Sequence, residues 1–138
     1  MKKHISILVI TAFFFYGCDI LDEELSKQRS VSLLVQNTVT GSPSSGSGAK
    51  TSISYYDENG NTLFKDIDAG SFWTALSNDF TKGDRVFLGV NTPYKSGSIT
   101  LRISCDKCTD LGGSGGTVLI KTIDLSLTKV ANLSATLD

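Results

Sequence analysis

A chain of 138 residues with 13 basic and 14 acidic side chains, net charge −1 and no Lys/Arg cluster carries no electrostatic footprint for nucleic acid. It is long enough for one domain with one hydrophobic core and too short for two. Its single histidine is His4, so beyond the first residues neither imidazole-based catalysis nor an imidazole metal site can be built.

Lys2 and Lys3 precede an apolar run from Ile5 to Tyr16, and Gly17 and Cys18 follow. A basic start, a short apolar stretch and a small residue at the cut make a secretory leader, too short to span a bilayer. With Cys18 directly after Gly17, the segment resembles a bacterial lipoprotein signal. That resemblance implies cleavage before Cys18 and lipidation of Cys18. Phe15 and Tyr16 depart from the usual box, and the relaxed box with Asp22-Glu23-Glu24 downstream resembles exported lipoproteins of Bacteroidetes. In that group acidic residues near the lipidated cysteine accompany display on the outer cell face. An ordinary cleaved leader or a single anchor helix is the alternative. Cleavage would remove Lys2, Lys3 and His4, leaving 11 basic against 14 acidic residues, a net charge of −3 and no histidine. The expected division is a leader over 1–17, a lipidated tether over 18–30 and a folded domain over 31–138.

From Val31 the pattern takes a period of two. Val31, Leu33, Val35 and Val39 alternate with Ser32, Gln36 and Thr38, as a half-buried strand requires. The stretch from Gly41 to Gly48 has no apolar residue and reads as a surface loop. Thr51 to Tyr56 predicts a second strand with Ile53 and Tyr55 on one face. Asn59-Gly60 then predicts a tight hairpin, both central residues taking positive φ, with Asn61 to Ile67 as the returning strand. Ser71 to Phe80, with Phe72, Trp73, Leu76 and Phe80, predicts an irregular strand. Arg85 to Val90 follows, with Val86, Leu88 and Val90 on one side, and a loop containing Pro93 comes next. Ser98 to Cys105 alternates most cleanly, with Ile99, Leu101, Ile103 and Cys105 inward. Thr117 to Leu127 predicts a strand whose inward phase shifts near Lys121, which suggests a bulge or bend. Leu133 to Leu137 predicts a short last strand. Short strands at turn spacings without a convincing helix predict an all-β fold, an antiparallel immunoglobulin-like β-sandwich of roughly seven strands.

Ile53-Ser54-Tyr55-Tyr56-Asp57 with Asn59-Gly60, then Trp73 and Phe80, Gly83-Asp84-Arg85-Val86, and Ile99-Thr100-Leu101-Arg102-Ile103 occur in that order. This series resembles the small immunoglobulin-like sandwich of exported Bacteroidetes lipoproteins. It is more distantly similar to the extracytoplasmic domain of mycobacterial MmpS-type transport accessory proteins. The first resemblance implies a cell-envelope binding or structural role, and the second an accessory subunit of an envelope transport system facing the periplasm.

Three constellations carry chemistry. Cys105 and Cys108 bracket two turn residues, and positions i and i+3 of a β-turn bring Cα atoms within about 7 Å, inside disulfide range. In an oxidising compartment this predicts a local disulfide. A redox pair would instead want a helix N-terminus or a cation beside the first sulfur, and zinc would want four ligands. Asp57, Asn59, Asn61 and Asp68 approach a calcium-loop spacing, but Gly60 stands at position 4 where an EF-hand needs position 6, so no metal is expected. Tyr55, Tyr56 and Trp73 are the candidate ligand or partner face. Strand alternation forbids Tyr55 and Tyr56 the same face, so at least one ring meets solvent. The expectation is a non-enzymatic protein without a cofactor. It meets the membrane through its lipid, binds no nucleic acid and has a protein or glycan partner. It is placed at the outer membrane, on the cell surface or otherwise facing the periplasm.

Overall fold

The computed structural model describes residues 28–41, 43, 48–111 and 116–138. The leader, Cys18, the tether through Lys27, the middle of the Ser/Gly loop and residues 112–115 lie outside the described residues. Among the described residues there are eight strands and no helix: β1 Arg29–Val39, β2 Thr51–Tyr56, β3 Thr62–Ile67, β4 Phe72–Phe80, β5 Arg85–Asn91, β6 Gly97–Asp106, β7 Val118–Asp124 and β8 Val130–Thr136. All pairings are antiparallel and make two four-stranded sheets, β4-β1-β6-β7 (sheet A) and β3-β2-β5-β8 (sheet B). The expected antiparallel β-sandwich is therefore the fold, with eight strands.

Period two places the core. Val31, Leu33 and Val35 of β1, Ile99, Leu101 and Ile103 of β6, Ile53 of β2, and Val86, Leu88 and Val90 of β5 are buried between the sheets. Each such side chain contributes about 1.5–3 kcal/mol on leaving water. One inward position of β1 is polar. Asn37 donates to the Thr51 hydroxyl at 3.1 Å and the Asp68 carbonyl at 3.2 Å, and accepts from the Val39 N–H at 3.3 Å. Thr51 shares a further bond with Thr92 at 2.8 Å. Every member is satisfied, so the network ties β1 of one sheet to β2 of the other without a desolvation cost left open.

Four elements differ from the expectation. The β2–β3 hairpin forms, but its loop is not a two-residue Asn-Gly turn. The Gly60 N–H donates to the Asp57 carbonyl and the Asp57 N–H to the Asn61 carbonyl, both at 3.0 Å. Only Gly60 takes positive φ, at 77°, so this is a three-residue loop with glycine at its left-handed position. Strand β4, by contrast, is irregular as expected: it runs evenly against β1 from Phe72 to Ser77, and then Asn78 and Asp79 together face Ser30. That bulge moves the phase by one, so Phe80 and not Asp79 enters the core. Strand β7 has no bulge; its register with β6 is unbroken from Val118 to Asp124. Its inward positions are Leu119, Lys121 and Ile123, and Val118 and Ile120 face solvent. The first strand starts at Arg29, inside the stretch assigned to the tether, because Arg29 pairs with Phe80 and Ser30 with Asp106. The last strand starts earlier than Leu133, at Val130, and runs to Thr136.

Candidate functional site

The outer face of sheet B is assembled from the solvent-facing positions of all four of its strands. Register sets Phe64, Ser54, Gly89 and Asn132 in one row across the sheet, and Thr62, Tyr56, Phe87 and Ser134 in the next. Tyr56 packs on Phe87 with ring centroids 5.1 Å apart and planes inclined by 32°. Gly89 is why the Phe87 ring can lie flat along the strand. A Cβ there would stand 2.9 Å from both the Phe87 ring tip and the Ser54 hydroxyl. The result is a shallow cavity of about 250 Å³ with Gly89 and Ser54 as floor, Phe87 and Phe64 as aromatic walls, and Ser52, Asn91 and Asn132 supplying hydroxyl and amide groups. None of its lining residues is charged. Phe64 is 73 % exposed, a large apolar ring with its face open to water.

The three aromatics singled out in the sequence are divided by the sheets. Tyr56 belongs to the outer face just described. Tyr55, one position earlier, points inward and meets Trp73 of sheet A with centroids 4.8 Å apart and planes inclined by 50°. Tyr55 and Trp73 therefore brace the two sheets at the side where β3 and β4 are the edges. A second cavity of about 170 Å³ opens there, walled by Leu33, Tyr55, Leu63, Ala75 and Phe80. Glu58 of the hairpin loop closes one end, accepting from the Ser77 hydroxyl at 3.2 Å. At roughly half the lower bound for a ligand pocket, this space holds a small apolar group at most.

Cys105 and Cys108 are joined by a disulfide, with Cα atoms 5.7 Å apart and Lys107 between them at φ 64°. Both sulfurs are buried and the loop is clamped from outside. The Asp138 carboxylate accepts from the N–H groups of Thr109 at 3.0 Å and Asp110 at 3.1 Å, and from the Thr109 hydroxyl. The Thr109 hydroxyl foremost holds the Asp138 carboxyl below the usual carboxylate range; desolvation opposes it, and the N–H groups of Asp110 and Thr109 add to the lowering. Asp57 is held low in the same way, first by the Asn61 side chain and then by the N–H groups of Asn61 and Asn59. That carboxylate is turned back onto its own loop. Asp68 lies 3.5 Å from the Lys50 ammonium instead. Among the described residues no group of three or more Cys, Asp or Glu is placed to hold a metal ion.

The chain matches no protein-family model, no curated protein and no solved structure. Phe64, Phe87 and Gly89 are the residues that sequence reasoning missed. Their signal was present, because Phe87 and Gly89 fall in the solvent phase of β5 with Arg85 and Asn91. A glycine in a strand beside an aromatic ring in a polar phase leaves room for a ligand or another chain to approach the sheet closely.

Proposed function

We infer that this chain is an exported, non-enzymatic binding protein, held at the outer membrane by a lipid on Cys18 and displayed on the cell surface. The reading rests on the leader's resemblance to lipoprotein signals and on the domain that follows it. Ten residues lie between Cys18 and Arg29, so the eleven Cα steps of this tether reach at most about 40 Å when fully extended. The observation that carries the binding role is the uncharged aromatic groove on the outer face of sheet B. Exposed Phe64 and half-buried Phe87 offer ring surface on which the C–H surface of a sugar ring stacks, and Ser52, Ser54, Asn91 and Asn132 offer neutral donors and acceptors for its hydroxyls. A neutral glycan satisfies both sets at once. A phosphate or an acidic peptide would find no cation among these lining residues.

Calorimetric titration with a panel of neutral oligosaccharides tests the binding role. Phe87→Ala should weaken any binding by about tenfold or more, in keeping with the loss of one stacking contact and its apolar area. A panel that produces no heat removes the glycan and turns the search to protein partners. Fatty-acid labelling that disappears in Cys18→Ser tests the anchor. Protease treatment of intact cells tests the address. If the tether is cut only after the outer membrane is opened, surface display is wrong and the reading becomes a periplasm-facing accessory subunit of an envelope transport system.

A further inference from the structure

The four edge strands of the sandwich are not equally protected. Strands β3 and β7 carry Lys65 and Lys121 at inward positions, directly opposite the buried Ile53 and Leu101. A charge at that place is a standard block against edge-to-edge pairing. Strand β8 is uncharged, but the Lys121 ammonium crosses from sheet A and donates to its Asn132 carbonyl at 3.4 Å. Strand β4 is guarded only at its far end, where Glu58 accepts from the Ser77 hydroxyl at 3.2 Å and the bulge at Asn78 and Asp79 follows. From Phe72 to Asn78 it contains no charge, no proline and no glycine, and Phe72 and Leu76 are 74 % and 67 % exposed on its outer side. The Asn37 N–H donates to the Ser71 carbonyl at 3.0 Å, which sets the phase of the β1–β4 ladder. Trp73, Ala75 and Ser77 bond towards β1, and the N–H and C=O groups of Phe72, Thr74 and Leu76 point away from it.

We propose that this edge pairs with β4 of a second copy of the chain, antiparallel about a two-fold axis at Thr74, so that sheet A continues as eight strands. In that register Phe72 faces the partner's Leu76, Trp73 faces the partner's Ala75, and Thr74 meets its own counterpart. Each pairing complements on the correct face of the sheet. The exposed Phe–Leu pair is covered twice on the outside, and on the inside a large ring falls opposite a methyl. Thr–Thr and aromatic–aliphatic pairs are favourable cross-strand neighbours. The charges agree with this register too. No charged side chain enters the paired segment, and Asp79 of each copy falls beside the partner's Ala69, well away from the other Asp79. The bulge at Asn78 and Asp79 ends the pairing. Sheet B does not continue across the axis, because Lys65 and Asp66 stand on its β3 edge. A single five-residue strand pairing is small for a specific interface, so the dimer belongs to the weak, transient class.

Light scattering and sedimentation of the full chain in mild detergent, at about 100 µM to suit a weak interface, should find a dimer in exchange with monomer. Thr74→Lys places two ammonium groups on the axis and should lower association by about tenfold or more, as should Thr74→Glu. Mixing the two variants should restore dimer as a heterodimer, because opposite charges then face each other. A Thr74→Cys chain should crosslink to itself under mild oxidation, and Ser134→Cys on β8 should not. Circular dichroism confirms that these exposed substitutions leave the sandwich folded. A native chain that stays monomeric overturns the proposal. So does a dimer indifferent to Thr74→Lys, a mixture no better than either variant alone, or crosslinking of Thr74→Cys no greater than that of Ser134→Cys.

Discussion

The two open sides of the sandwich are finished in different ways. On the β7/β8 side the strands of opposite sheets come into contact, Ile123 and Ala131 are buried, and Lys121 bonds across to the β8 backbone. On the β3/β4 side the sheets part around a cavity of about 170 Å³, Leu63 and Leu76 remain exposed at its rim, and Phe72 is exposed further along β4. One side spends its apolar residues on closure and guards its edge with an ammonium group. On the other, Lys65 guards only the β3 edge, and the β4 edge leaves apolar surface and backbone groups unpaired. Closure and guarding stabilise a single chain, and an unguarded edge keeps the option of pairing with another.

Removing side chains from the two sides should separate them in size of effect. Ile123→Ala takes a buried side chain from the closed side and should destabilise by about 3 kcal/mol, read as a shift in the denaturant midpoint at unchanged slope. Leu63→Ala at the open mouth should cost about 1 kcal/mol, because the side chain is already 39 % exposed and solvent can fill the space. Equal costs would mean that the open side is packed as tightly as the closed one. Lys121→Leu should change stability by no more than about 0.5 kcal/mol and yet lower solubility, because it strips the guard from an edge already apolar at Val118 and Ile120. Turbidity at rising concentration measures that loss.

The smallest effect concerns the Asp138 clamp beside the disulfide. Its folded-state carboxyl titrates below the ordinary value of 3.8, so its stabilisation is complete above that value and is lost as pH falls through the lower, folded-state one. Asp138→Asn should therefore be less stable than the native chain near neutrality. The gap should narrow below about pH 4, followed by urea unfolding from pH 7 to pH 2. A gap that stays constant across that range would assign the clamp to geometry and not to charge.

Phe87 shows how a site can be written in a sequence and still be passed over. Its neighbours Val86 and Leu88 are buried, so the run reads as core, and only the phase of two reveals that Phe87 itself turns outward. Tyr55 and Tyr56 illustrate the converse. Alternation correctly separates them, but it cannot say that Tyr55 joins Trp73, eighteen positions away in the other sheet. Strand β7 misled for a chemical reason. Val118 and Ile120 are apolar on an outward face and Lys121 is charged on an inward one, so hydrophobicity runs against the true phase. Edge strands are where that inversion occurs, because their inward side chains reach solvent at the margin of the sheet.

Local chemistry was enough to determine which segments extend, which face of the central strands is buried, that Gly60 turns a hairpin, and that Cys105 and Cys108 lie within reach of each other. Each of these depends on residues a few positions apart. Which strands are neighbours depends on contacts between distant segments, and only the tertiary structure decided it. Only β2–β3 and β6–β7 pair as chain neighbours; every other connection crosses from one sheet to the other. Those crossings put β1 between β4 and β6, leave β4 as an edge guarded only at its far end, and bring Phe64, Gly89 and Asn132 into one row. Alternation tells a residue which way to face, and only the assembled core tells it what it faces.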